Sequence, residues 1–159
     1  MIRAWRLTRR VHATPPSDAY NGMGAERRGG RWNRIGTRAA YASSTRSLAA
    51  LEYLAHVDPD ELPADLVFVG IGFHGDALES GNPPAGWEAL RSAVAIDYGQ
   101  AWLRSSSFAI LAVPSAIIKA ERNYVINPAH ARARKLIVDS ELEEFVFDQR
   151  LLTNVIRDR

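Results

Sequence analysis

At 159 residues, with 47% hydrophobic and 24% charged side chains, the chain has the make-up of one globular domain, residues 1–159, with a core of its own. The absence of cysteine excludes disulfides, thiolate metal sites and a cysteine nucleophile, and fits a reducing cytoplasm. The four histidines (His12, His56, His74, His130) are scattered without zinc-like spacing, so no metal site is expected. No apolar run is long enough to span a membrane, and MIRAWRLTRRVH lacks the apolar centre of a secretory signal. The net charge is only +2, but residues 1–46 hold ten arginines against Asp18 and Glu26, a local +8 that leaves −6 for the remainder. With 18 Arg and 2 Lys the cations are almost all planar donor forks suited to phosphate. A GC-rich genome would raise that ratio by itself, but the clustering points to an anionic ligand, either nucleic acid or a phosphorylated small molecule.

In chain order, IRAWRL (2–7) alternates and predicts a first strand, and residues 11–33, rich in Pro, Gly and polar side chains, read as a long functional loop. RAAYAS (38–43) predicts a short buried strand, after which Ser43 or Ser44 would cap a helix over TRSLAALEYLAHV. LVFVGIGF (66–73) is a strand whose Gly70 and Gly72 share one parity, where small residues admit close approach of another layer or a ligand. A loop over ALESGNPPAGW leads to a short helix over DYGQAWLRS. Strands follow at FAILAV (108–113) and from Asn123, and KLIVDSELEEFVFDQRLL supplies one or two late strands. Strands and helices do not alternate as βαβ units, so the class is α+β.

Three positions stand out chemically. On a helix, Glu52 shares a face with Leu48, Leu51 and Ala55, and a carboxylate among apolar positions is costly unless paired or functional; read alone it also suits a rim site that reaches water. Tyr41 lies in the strand just before that helix, as a core aromatic or as a cleft wall. Arg31, in GGRWNRIG, sits beside glycines that let the backbone bend; alone it is a surface loop arginine with Trp32 tucked beneath it. Together an arginine, an aromatic and a carboxylate could grip a phosphate, stack on a ring and stabilise positive charge, as cleavage of a nucleoside-type C–N bond requires. GGRWN is neither a Walker loop nor a dinucleotide fingerprint. Ser115, after Pro114 at a strand end, lacks a nucleophile-elbow context and reads as a turn serine. Asn123, Asn127 and His130 read as turn residues or as a polar pocket lining.

The runs GGRWNRIGTRAAYASSTRSLAALEYLAH and FAILAVPSAIIKAERNYVINPAHARA resemble the RES-domain family, toxins of bacterial Xre–RES toxin–antitoxin pairs, over nearly the whole chain. By motif, Arg31, Glu52 and Ser115 match the arginine, glutamate and serine that name the family, with Ser105, Ser106 and Ser107 as weaker serine candidates. Tyr41 matches the family tyrosine and Arg6, in AWRL, a further arginine. His130 is followed by Ala where Pro is usual. The resemblance implies split antiparallel β-sheets with a few flanking helices, like those of ADP-ribosyltransferases, and NAD+ as a substrate with no metal. It implies ADP-ribosyl transfer to a protein, phosphoribosyl pyrophosphate synthetase among the known targets, or NAD+ phosphorolysis or hydrolysis. Glu52, Arg31 and Tyr41 would then be catalytic, and Arg6, Arg31, Tyr41, Ser115 and Asn123 would bind NAD+. An Xre/ParS-like antitoxin would block the cleft.

Two other classes compete. An arginine-rich nucleic-acid-binding module would use the first third of the chain, but no recognition helix with clustered arginines and no RNP-like aromatic pattern is present. An inert interaction domain would leave Arg31, Tyr41 and Glu52 unconnected.

Overall fold

A computed structural model describes residues 1–153. The strands are β1 (Ile2–Arg9), β2 (Ala40–Ser43), β3 (Leu66–Phe73), β4 (Leu78–Ser80), β5 (Ile110–Pro114), β6 (Arg122–Ile126), β7 (Ile137–Val138) and β8 (Glu143–Phe145). The helices are α1 (Met23–Arg28), α2 (Arg46–Leu54), α3 (Ala93–Ser105) and α4 (Gln149–Thr153). The architecture is α+β. The strands form one curled sheet in the order β4-β5-β6-β2-β1-β3-β7, with β8 also on β3. All pairs are antiparallel except β4 with β5.

Sheet position explains the sequence patterns. β3 pairs with β1 along its whole length, from Ile2↔Phe73 to Arg9↔Leu66. Its other edge takes β7 at Ile71 and Gly72 and β8 at Leu66 to Phe68. Flanked on both edges and covered on both faces, β3 is buried at every residue, hence its unbroken apolar run. β2, β6 and β5 form a second well-paired block, from Ala40↔Ile126 to Ser43↔Asn123 and from Ile110↔Ile126 to Pro114↔Arg122. The two blocks meet at a single pair, Trp5↔Ser43. The expected split is thus a near-break inside one continuous sheet.

Strand parity sorts the core. One face carries Ala4, Val67, Val69, Ile71, Phe73, Ala42, Tyr124, Ile126 and Ile110, closed by Ala13, Ala19 and Tyr20. The long loop that supplies these three is ordered by 3-10 turns at Arg10–His12 and Pro16–Tyr20 and by α1, and the Tyr20 hydroxyl donates to the Val69 carbonyl at 2.7 Å. The opposite face is covered twice. α2 and the strap around Phe147 lie over Leu7, Leu66 and Phe68, whereas α3, Trp32 and Trp87 lie over Leu111, Val113 and Val125. Between these covers runs a strip of β2 and β6.

Several boundaries differ from the sequence reading. Thr45, not Ser43 or Ser44, caps α2, accepting the Leu48 N–H at 3.0 Å; Ser43 is paired within β2. α2 buries Leu48 and Ala49, while Leu51 is 39% exposed and Ala55 is exposed. Its inward stripe runs one position round from the expected face, so Glu52 borders the core one turn after Leu48. α3 begins at Ala93, four residues before the expected start, because Ser92 caps it through the Ala95 N–H at 3.1 Å. The close approach expected at Gly70 is made by the Arg3–Asp139 ion pair, and a Cβ there would fall 2.1 Å from Asp139 Oδ2. Among the described residues no helix is long and apolar enough to cross a membrane.

Gly99 tests how tightly α3 seats on the Trp32 loop, since its Cβ would lie 2.1 Å from the Trp32 carbonyl oxygen. Gly99→Ala is expected to cost about 1–3 kcal/mol in urea denaturation. Gly24→Ala, in α1 with nothing within 4 Å, is expected to be neutral or to stabilise by up to about 1 kcal/mol.

Candidate active site

The strip between the two helical covers is built from alternate residues of neighbouring strands. On β2, Tyr41 and Ser43 point to the same side, and their partners on β6 are Val125 and Asn123. Asn123 in turn pairs with Val113 on β5, two residues before Ser115. Glu52 reaches this row from α2. Its Oε1 accepts from the Ser115 hydroxyl at 2.9 Å and from the Asn123 side-chain amide. Oε2 has no hydrogen-bond partner among the described residues.

Each donor is itself fixed. Ser115 is fully buried, and its Oγ accepts the Ile117 and Ile118 N–H groups at 3.0 and 3.1 Å, so its one proton is directed to Glu52. Asn123 Oδ1 accepts from the Ser43 hydroxyl at 2.8 Å, which leaves Nδ2 facing the carboxylate. Glu121 ties the same turn to the start of α2 by accepting from the Thr45 hydroxyl at 2.7 Å.

GGRWN forms the other wall. Trp32 is buried and stacks with Trp87 at 5.7 Å between centroids. Asn33, 1% exposed, donates its amide to the carbonyls of Ala25, Arg34 and Thr37. Tyr41 locks this turn in place: its hydroxyl donates to Asn33 Oδ1 at 2.6 Å and accepts the Trp32 N–H at 3.3 Å. A Cβ at Gly30 would sit 2.7 Å from that hydroxyl, so the glycine permits the contact. Burial pushes the Tyr41 phenol above its ordinary range, so it stays protonated. Arg31 turns its Nη1 onto the carbonyls of Trp87 and Ala89, at 2.9 and 3.1 Å.

Arg6 lies on the opposite strand parity from Trp5, and its Nη1 donates to the Tyr41 carbonyl at 3.2 Å, beside the near-break between β1 and β2. Its Nε is buried without a partner and no carboxylate pairs with it among the described residues. Burial lowers its pKa.

Glu52, Ser115 and Asn123 are therefore joined directly by hydrogen bonds. Arg31 and Arg6 connect to them only through Tyr41 and β2. Ser105 and Ser106 bond the Ala101 carbonyl and Glu79 instead, away from Glu52. Sequence reasoning misses Ser43, whose only signal is its shared parity with Tyr41. It also misses the Trp87 and Ala89 carbonyls, which carry no side-chain signature. Two open hollows on the molecule are lined by residues 139–143 and by Arg10, residues 13–16 and residues 140–142, and include none of these site residues. Among the described residues no cluster of three His, Cys, Asp or Glu could hold a metal ion.

Among the described residues the strip thus combines a carboxylate held by one oxygen, a walled aromatic and, from its flanks, two guanidiniums without acid partners. The family model described as RES domain matches residues 3–148, and the chain belongs to the RES-domain family. It is 37% identical over 155 residues to a protein of Sphingobium sp. (strain YBL2) named "Prs ADP-ribosylating toxin", covering 93% of this chain and 95% of that one. It is 36% identical over 152 residues to "Toxin Res" of Photorhabdus laumondii, covering 93% and 96% of the two chains. Identity to "Toxin Res" of Yersinia enterocolitica is 32% over 139 residues, covering 85% and 91%.

Tyr41→Phe would leave the buried Oδ1 of Asn33 without its 2.6 Å donor. The expected cost is about 1–3 kcal/mol in chemical denaturation, and an unchanged midpoint would show that the phenol does not secure the GGRWN turn.

Proposed function

We propose that the chain is a toxin that breaks the nicotinamide–ribose bond of NAD+ and transfers ADP-ribose to a protein. The observation that carries this reading is the asymmetry of Glu52, whose Oε1 is anchored by Ser115 and Asn123 while Oε2 is left open. In this reading Oε2 takes the 2′-hydroxyl of the nicotinamide ribose. Its charge stabilises the oxocarbenium-like centre as the C1′–N bond breaks and the bonding electrons leave with nicotinamide. The acceptor then bonds to C1′ and gives up a proton.

Arg31 commits only Nη1 to the Trp87 and Ala89 carbonyls, so Nη2 and Nε remain for a pyrophosphate oxygen. Arg6, an NAD+ contact on the resemblance alone, lies on the opposite sheet face with its Nε buried and meets the strip at the Tyr41 carbonyl. Tyr41 offers a ring face for stacking and sets the position of Arg31 through the Trp32 N–H. Ser115 and Asn123, NAD+ contacts on the resemblance alone, act here by orienting Glu52. A protein acceptor is favoured by the name of the Sphingobium relative, which designates Prs as the modified protein. A cognate Xre/ParS-like antitoxin covering the cleft completes the reading.

Glu52→Gln is expected to keep its fold and NAD+ binding while losing about 10²–10³-fold in turnover. NAD+ consumption at the wild-type rate by this variant would overturn the assignment. Products from labelled NAD+ identify the acceptor: label on a protein band in lysate for transfer, ADP-ribose phosphate for phosphorolysis, free ADP-ribose for hydrolysis.

A further inference from the structure

Glu52 depends on a third residue that does not touch it. Asn123 can serve Glu52 only with Nδ2 turned toward the carboxylate, because the reverse orientation would set an amide oxygen against an anion. It also needs its χ angles held, since it is only half-buried at the floor of the strip. Ser43 supplies that restraint. It is 4% exposed, lies directly across from Asn123 in the β2–β6 register, and donates to Oδ1 at 2.8 Å. The bonds thus run in one direction, from the Ser43 hydroxyl through the Asn123 amide to Glu52 Oε1.

Ser43 also occupies the one position where the two halves of the sheet join, opposite Trp5. The residue that aims the amide is therefore fixed by backbone pairing on both of its sides, to Trp5 and to Asn123. We propose that Ser43 is a positioning residue for Glu52, acting through the Asn123 amide to hold Oε1 so that Oε2 faces the substrate. The proposal rests on Glu52 acting on NAD+ as described above.

Ser43→Ala removes the hydroxyl with little change in volume. With NAD+ as substrate, kcat is expected to fall about tenfold with KM unchanged, the scale of one orienting hydrogen bond lost. In an Asn123→Ala background the same substitution is expected to change kcat less than about twofold, since the relay is already cut. Ser43→Thr, which keeps the hydroxyl, is expected to recover most of the loss. Equal losses from Ser43→Ala in both backgrounds, or a rise in KM alone, would overturn the relay. Circular dichroism and urea midpoints for each variant separate a folding defect from lost orientation. Should Ser43→Ala fold poorly, Asn123→Asp tests the same relay, because a second carboxylate cannot donate to Glu52 and kcat should fall with the fold retained. An Asn123→Asp variant with wild-type kcat would refute the proposal. If Glu52→Gln itself turns over NAD+ normally, the underlying reading fails and the positioning role with it. If Glu52→Gln is inactive while Ser43→Ala is fully active, only the positioning role fails.

Discussion

The pair Trp5↔Ser43 is the hinge point of the architecture. Were β1 and β2 paired along their length, one helix layer could cover the whole face and no strip of strand would be left open. Because they meet at one pair, each block of the sheet acquires its own cover, α2 on one and α3 with the Trp32 loop on the other. The gap between the covers exposes Tyr41 and Asn123 and lets Glu52 lean in from the edge of α2. The same near-break leaves the Tyr41 carbonyl to be met by Arg6. Site and sheet defect are one feature seen at two scales.

The polar groups around this gap are used with little redundancy. Ser115 accepts twice from backbone and donates once; Asn123 accepts once and donates to Glu52; Tyr41 donates once and accepts once. Such a network rigidifies a site when every member is satisfied, and the members left unsatisfied then stand out. Here, among the described residues, they are Glu52 Oε2, Arg6 Nε and the Trp5 indole N–H, one anionic, one cationic and one neutral.

Much of this is legible in the sequence, for particular physical reasons. β3 announces itself because a strand covered on both faces must be apolar throughout. Glu52 is visible as a carboxylate out of place on a helix, and the inward face it shares is marked by Leu48 and Ala49, buried, with Leu51 turned outward. That one-position rotation depends on which strands lie beneath the helix, which periodicity alone does not encode. The ordering of residues 11–33 is hidden for a similar reason, since Tyr20 finds its partner in the Val69 carbonyl. Ser43 carries almost no signal. Its meaning lies in a contact with a residue 80 positions away, created by strand register.

Among the described residues, six of the ten arginines in residues 1–46 form internal ion pairs: Arg3 with Asp139, Arg9 with Asp65, Arg10 with Glu144, Arg34 with Asp97, Arg38 with Glu26 and Arg46 with Glu143. Three of these acids belong to the 139–144 segment that straps the free edge of β3. Five of these pairs fold the basic third of the sequence against acids of the remainder, and the segregation of charge along the chain is reduced in space. The local +8 read along the chain is therefore a poor guide to the field around the folded molecule.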